Sequence, residues 1–145
     1  MCVDNRKHTQ ITDNRLLSPG TSKMKSIEEL EVFKKVHILT LKLYKITASF
    51  PQEEKFGLIS QIRRASSSVG ANLIEGSHRI NKKEFRQFVG IARGSIGELK
   101  YHLLLAKDLG YIKEDLYRQI KEEINIISKM LYGLIQSLTH TDHRH

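Results

Sequence analysis

The sequence predicts an all-α protein, an antiparallel up-down-up-down four-helix bundle. Four stretches of the chain carry apolar residues at helical spacing, three and four positions apart. Short polar segments with Gly or Pro separate these stretches. No stretch shows the strict apolar–polar alternation of a half-buried strand. Since short connections place successive helices antiparallel to each other, the four helices should pack as one bundle.

The chain has 145 residues and a formal net charge of +8. This length suits one domain with a full core, and the basic balance permits a polyanionic partner without demanding one. No signal-peptide core and no apolar run long enough to span a bilayer occur, so we expect a cytoplasmic protein without membrane association. The single Cys2 excludes an intramolecular disulfide.

Domain organisation follows from composition. Residues 1–25 lack periodicity and are rich in polar residues, which predicts a disordered extension; Met24, just before the first helix signal, is the expected natural start. The bundle is predicted over residues 26–138. Residues 139–145 are predicted to form a flexible His-containing tail.

The first predicted helix opens with Ser26-Ile27-Glu28-Glu29, a capping box in which Ser26 is the N-cap and Glu29 the third helical residue. It should end near Ser49, because the residue before Pro51 is disfavoured in the α region. Two adjacent apolar lines predict a wide core face. They are Val32, Val36, Leu39, Leu43, Ile46 and Phe50, and then Phe33, His37, Thr40, Tyr44 and Thr47.

The second predicted helix, the centre of the bundle, begins near Gln52–Glu54 and continues to about Arg79, since carboxylates favour a helix N-terminus. Its core stripe contains Leu58, Ile62, Ala65, Val69, Leu73 and Gly76.

The third predicted helix has Asn81 as its N-cap and ends near Leu109, before Gly110. The fourth runs from about Lys113 to Leu138. Their core stripes are Phe85, Phe88/Val89, Ala92, Ile96, Leu99, Leu103 and Ala106, and then Leu116, Ile120, Ile124, Ile127, Leu131, Leu134 and Leu138.

A second, polar stripe follows the second helix. A charged edge inside a bundle is costly unless it is paired, so these side chains should meet Glu98 of the third helix in a buried network. Such a network would fix helix register or an oligomer interface; a ligand or catalytic site and a solvated face are the alternatives. The predicted network is Gln61, Arg64, Asn72, Glu75, Arg79 and Glu98.

Small residues are concentrated on the second and third helices, where they predict close approach of another helix. We expect this role for Gly76, Gly90, Gly94 and Gly97. A large side chain at a close crossing forces strain, so Gly94→Leu should disrupt the bundle or its assembly.

The third helix also carries a basic stripe. Its cations are seven residues apart, a drift of only about 20° per step on an ideal helix. This predicts contact with a nucleic-acid backbone; the alternative is an ordinary solvated face. The predicted nucleic-acid-binding residues are Arg86, Arg93, Lys100 and Lys107, with Arg79, Lys82 and Lys83 at the preceding turn.

Enzyme chemistry finds little support. Di-iron bundles need two Glu-x-x-His pairs; Glu75 and His78 form one, but Tyr101 stands three residues after Glu98 where the second His would be. No P-loop, nucleophile elbow or dinucleotide fingerprint occurs. The sequence therefore predicts no catalytic residues, no metal and no cofactor.

Several motifs resemble those of a known family. They are Phe50-Pro51, Gln61-Ile62-Arg63-Arg64-Ala65, Asn72-Leu73-Ile74-Glu75-Gly76, Ile91-Ala92-Arg93-Gly94-Ser95 and Glu98-Leu99. Over residues 26–135 the chain resembles the bacterial four-helix bundle proteins encoded by intervening sequences of large-subunit ribosomal RNA genes. The resemblance implies a cytosolic homopentamer without established enzymatic activity. Distant relatives, the accessory variability proteins of diversity-generating retroelements, bind nucleic acid and partner a reverse transcriptase.

Together these observations predict a non-enzymatic, homo-oligomeric bundle that binds RNA or DNA through the basic stripe. By distant analogy, a reverse transcriptase is a further expected partner. The alternative is a protein-interaction scaffold with no role in nucleic-acid binding, in which the basic residues are merely solvated.

Overall fold

A computed structural model describes residues 26–140, and this part of the chain forms four α-helices and no strand. They are α1 (Glu31–Thr47), α2 (Leu58–Ser77), α3 (Lys82–Asp108) and α4 (Glu114–His140). Each helix packs against the next, and α4 also returns to contact α1. The predicted all-α antiparallel up-down-up-down bundle is confirmed. The expected extension over residues 1–25 lies outside the described residues. Of the tail predicted over residues 139–145, residues 139 and 140 belong to α4, which contradicts the predicted boundary, and the rest lies outside the described residues.

The core lies where the helical periodicity predicts it. On α2, for example, Ile62, Ala65 and Leu73 are fully buried. The wide core face predicted for α1 is only half right, because Val36 and Leu43 are buried whereas His37 and Tyr44 are exposed. An apolar side of α1 is therefore left open to solvent.

The first helix starts later than predicted. Ser26 makes no side-chain cap hydrogen bond; its backbone carbonyl accepts from Glu29 N–H at 3.0 Å in a 3₁₀ turn over Ile27–Glu29. Ile27 is buried, and its burial turns the chain before the α-helix begins at Glu31. The predicted capping box is thus wrong.

The second helix also starts later, at Leu58. Gln52–Glu54 form a separate 3₁₀ turn, and the Glu54 carboxylate accepts from the Leu58 backbone N–H at 3.1 Å. Its other oxygen accepts from the Tyr111 hydroxyl at 2.8 Å, a bond that raises the pKa of Tyr111. An acidic side chain does lie at the N-terminus of α2, as expected. It is Glu54, which belongs to the preceding 3₁₀ turn rather than to the helix itself.

Both ends of α3 behave as predicted. The Asn81 side chain accepts from the Glu84 backbone N–H at 2.9 Å, which satisfies one orphan donor of the first turn. Gly110 has φ 84°, the left-handed conformation that favours glycine after a helix. Tyr111 N–H and Gly110 N–H donate to Ala106 and Lys107 carbonyls at 2.9 Å each, as in a Schellman motif. The α3–α4 connection is therefore tightly specified.

Within the described residues, no helix is both long and apolar enough to cross a lipid bilayer.

Candidate nucleic-acid interface

The flank of α3 that faces α4 carries cations whose partners are uncharged. The Arg93 Nε–H donates to the Ser128 carbonyl at 3.2 Å, and its guanidinium carbon lies 5.0 Å from the centre of the Tyr132 ring. Lys100 donates to the Asn125 side-chain oxygen at 3.2 Å. Neither cation forms an ion pair with a carboxylate of residues 26–140. Their positive charge is therefore not neutralised within the described chain.

Two lysines of α4 extend this flank. Lys121 and Lys129 lie four residues before and after Asn125, which places all three on one side of α4. Both lysines are exposed. We call Arg93, Lys100, Lys121 and Lys129 the basic surface.

Lys121 and Lys129 were not predicted from the sequence. Their four-residue spacing around Asn125 was the available signal. Periodicity shows that residues share a side of a helix, but not which neighbouring helix that side meets. The contacts of Lys100 with Asn125 and of Arg93 with Ser128 place these lysines beside the α3 cations.

Lys107, at the end of the predicted basic stripe, is already neutralised. It pairs with Asp108 at 3.2 Å and Glu114 at 3.8 Å, and the bond to Asp108 raises the pKa of Lys107. Its ammonium also lies 5.0 Å from the Tyr117 ring centre. We therefore leave Lys107 out of the basic surface.

The predicted cations at the start of α3 differ in their surroundings. Arg79 pairs with Glu84 at 3.2 Å and lies over the Phe88 ring at 5.2 Å. Lys82 and Arg86 are half-buried, whereas Lys83 is exposed. This end of the stripe is thus partly committed to contacts within the bundle.

The opposite flank of α3, which faces α2, carries a paired network. The Glu98 carboxylate accepts from Arg64 of α2 and is 3.3 Å from His102 Nε2. Arg64 also donates to the Gln61 side chain at 2.8 Å. Burial by itself would raise the pKa of Glu98, but the hydrogen bonds from His102 and Arg64 outweigh it and lower that pKa. This flank is internally neutralised.

A second group of polar residues continues along the same flank. Asn72 donates to the Ser68 carbonyl at 2.8 Å, and the Ser68 and Ser95 hydroxyls are 3.0 Å apart. Two further members of the predicted network lie apart from it. Glu75 is exposed on α2, and the ion pair of Arg79 goes to Glu84.

The predicted burial of the network is wrong for a single chain. The side chains of Arg64 and Glu98 are 54% and 40% exposed. Both long side chains reach across the outer edge of the α2–α3 interface, where solvent screens their charges.

The four predicted close-packing glycines fall into two classes. A Cβ on Gly76 would lie 2.6 Å from the Cβ of Phe88, so α2 and α3 approach closely there. A Cβ on Gly90, Gly94 or Gly97 would meet nothing within 4 Å. For these three glycines, the prediction of close packing inside the bundle is wrong, because they lie on the exposed side of α3.

The single Glu-x-x-His pair has no metal-site geometry around it. His78 Nδ1 lies 2.9 Å from the Ile74 carbonyl, one turn back on its own helix. Over residues 26–140, no three His, Cys, Asp or Glu side chains come together in a way that could hold a metal ion.

The fold and the geometry define the class of protein. It is an all-α antiparallel four-helix bundle in which one flank of α3 has its charges paired within the chain and the other flank is basic. Residues 28–133 match the family model of the 23S rRNA-intervening sequence proteins. The chain belongs to this family, as its motifs predicted.

A solved structure supports the same assignment. The chain is similar to a protein of unknown function of the S23 ribosomal protein family from Bacteroides thetaiotaomicron. The two share 26% sequence identity and a TM-score of 0.65, over 72% of this chain and 97% of the other. No curated protein matches the sequence.

Proposed function

We propose that this protein is a non-enzymatic, cytoplasmic homo-oligomer that binds the backbone of RNA or DNA through the basic surface. One observation carries the proposal: Arg93 and Lys100 are held in place by uncharged partners rather than by carboxylates. A guanidinium fork and an ammonium fixed in this way keep donors and charge for phosphate oxygens. Lys121 and Lys129 add two exposed cations beside them.

One acid on α3 and one on α4 support the same proposal by their direction. Glu98 turns to Arg64 on α2, and Glu123 turns to Lys42 on α1, which it meets at 3.1 Å. Both carboxylates therefore neutralise cations on other sides of the bundle. Glu122 is exposed between Lys121 and Lys129, so the four cations of the basic surface outnumber the acid beside them. This excess of positive charge attracts a polyanion and increases its association rate.

Self-association is supported by the open side of α1. Ile38, Leu41 and Tyr44 are 65%, 53% and 42% exposed. A groove between α1 and α2 is lined mostly by apolar residues, among them Phe33, Ala71 and Ile74, and by no Asp, Glu, Lys or Arg. Apolar surface of this kind marks protein–protein contacts. The fivefold assembly that the family resemblance implies is checked by the mass of the purified protein in solution.

A salt titration tests nucleic-acid binding. Affinity for a mixed-sequence RNA should fall linearly on a log–log plot as salt rises, because bound phosphates release counterions. Lys100→Gln and Lys129→Gln should each reduce the slope by about one. Lys45→Gln, at an exposed position on α1, is the matched control and should leave the slope unchanged. Absence of binding at low salt would rule the proposal out.

The second candidate function is a scaffold that associates through its apolar groove without nucleic acid. The mostly apolar lining of the α1–α2 groove favours this function. An assembled protein that binds no RNA or DNA at low salt would support the scaffold. Salt-dependent binding that Lys100→Gln weakens would support the nucleic-acid function instead.

A further inference from the structure

We propose that the stacked pair Arg93–Tyr132 is a platform for an unpaired base, so that the ligand of the basic surface is single-stranded RNA or DNA. This inference rests on the proposed nucleic-acid function and makes it more specific. It concerns which form of nucleic acid is bound, whereas the basic surface alone would accept the phosphates of single strands and duplexes alike.

The platform is fixed in position before any ligand arrives. Two contacts hold the Arg93 guanidinium: the Ser128 carbonyl at 3.2 Å and the Tyr132 ring, whose centre is 5.0 Å from the guanidinium carbon. Tyr132 remains 48% exposed despite this stacking. Bases stack on tyrosine rings and on guanidinium planes, and here the guanidinium lies over the ring.

Glycines surround the platform. Gly90 and Gly97 lie three residues before and four after Arg93 on α3, and Gly133 directly follows Tyr132 on α4. A Cβ at any of these three positions would meet nothing within 4 Å. At these three positions no side chain stands between the stacked pair and an approaching base.

Cations suited to the flanking phosphates lie next to the platform. With a helical rise of about 1.5 Å per residue, Lys100 is about 10 Å along α3 from Arg93. Lys129 is one turn from Tyr132 on α4 and exposed. A flexible single strand can place a base on Tyr132 and its neighbouring phosphates on these lysines. A duplex keeps its bases paired and stacked inside, so only its phosphates would reach this surface.

A unique fluorophore provides the first test. The chain contains no Trp, so Tyr132→Trp places its only indole on the platform. Oligouridylate should quench this fluorescence strongly through stacking, whereas a duplex RNA of equal length should quench it weakly. Tyr101→Trp is the matched control, because Tyr101 is also an exposed tyrosine of the bundle, at 60%, and its ring lies beside His102 rather than Arg93. It should respond weakly to both ligands.

Affinity provides the second test. Base–aromatic stacking is worth about 5- to 150-fold in affinity per base. Tyr132→Leu should therefore weaken binding of oligouridylate by at least about fivefold and leave duplex binding within about twofold. Tyr132→Phe keeps the ring and should bind both ligands like the native protein. Circular dichroism of each variant checks that the helices are intact.

The outcomes separate this inference from the proposed function. Salt-dependent binding without quenching of the indole in Tyr132→Trp, or an equal loss for both ligands in Tyr132→Leu, would overturn the platform and leave phosphate binding in place. Failure of the native protein to bind either ligand at low salt would overturn both. Selective quenching together with a selective loss of single-strand affinity supports the platform.

Discussion

The two flanks of α3 show how one helix can carry two kinds of charged surface. On the α2 side, Glu98 holds Arg64 and His102 in a neutralising network. On the α4 side, Arg93 and Lys100 meet a carbonyl, a ring and an amide. The first arrangement satisfies its charges within the chain. The second arrangement leaves positive charge that no carboxylate of the described chain neutralises. A count of charged residues along the helix does not distinguish the two flanks.

The difference teaches that the partner of a charged side chain, rather than its exposure, indicates its use. Arg64 is 54% exposed and therefore open to solvent, but its charge is already paired with Glu98. Arg93 is exposed too, yet its contacts fix its orientation without cancelling its charge.

The largest expected effect concerns added volume where α2 packs on α3. Gly76→Ala would place a Cβ 2.6 Å from Phe88 Cβ, whereas the Cβ of Gly94→Ala meets nothing. Gly94→Ala, in the interior of α3, gains about 1 kcal/mol of helix propensity, whereas Gly76→Ala, one residue before the end of α2, gains less. Overpacking costs about 1–3 kcal/mol, so Gly76→Ala should be less stable than Gly94→Ala by about that amount. Urea denaturation measures the difference, and equal stabilities would place both glycines at comparable contacts.

These two glycines also show which features of the fold can be predicted from the sequence and which cannot. Periodicity correctly predicted the core stripes of the four helices, because burial of apolar side chains repeats with the helical turn. It also grouped Gly76 with Gly94 as close-packing residues. Which of them faces a neighbour depends on how the helices rotate against each other, and this rotation is a property of the packed bundle.

The candidate site was predictable to a similar extent. Arg93 and Lys100 were recognised from their spacing, but the commitment of Lys107 to Glu114 depends on the α3–α4 turn bringing both together. Likewise, the prediction that Arg64 and Glu98 are partners was correct, whereas the prediction that their side chains are buried was wrong. Long side chains can pair across the outside of a helix interface as readily as inside it.

The second prediction compares the two arginines directly. Arg93→Gln should weaken RNA binding severalfold at low salt and reduce the salt slope by about one, because it would remove one of the proposed phosphate contacts. Arg64→Gln should leave both quantities unchanged, since the charge of Arg64 already serves Glu98. Fluorescence anisotropy with labelled RNA at several salt concentrations measures both. Equal losses in the two variants would show that the flanks do not differ in function.

The third prediction concerns the strength of the paired network. A half-exposed ion pair contributes about 0–1 kcal/mol. In a double-mutant cycle of Arg64→Gln and Glu98→Gln, the coupling free energy should stay within that range. Urea denaturation of the four proteins provides the values. A coupling of about 3 kcal/mol or more would mean that assembly covers the pair and restores the burial that the sequence predicted.

The smallest effect is the pH dependence of the same network. Hydrogen bonds from His102 and Arg64 lower the pKa of Glu98 in the folded chain below its ordinary value of 4.5, although burial opposes this change. Above pH 4.5 the folded and unfolded chains both hold Glu98 ionised, so its stabilising contribution is fully present. As the pH falls through the lowered folded-state pKa, the carboxylate takes up a proton and that contribution is lost. The stability difference between the native protein and Glu98→Gln should therefore shrink as the pH falls below about 4.5. Denaturation curves of the two proteins across this range measure it, and a difference that persists unchanged to the lowest accessible pH would show that the network does not stabilise the ionised form.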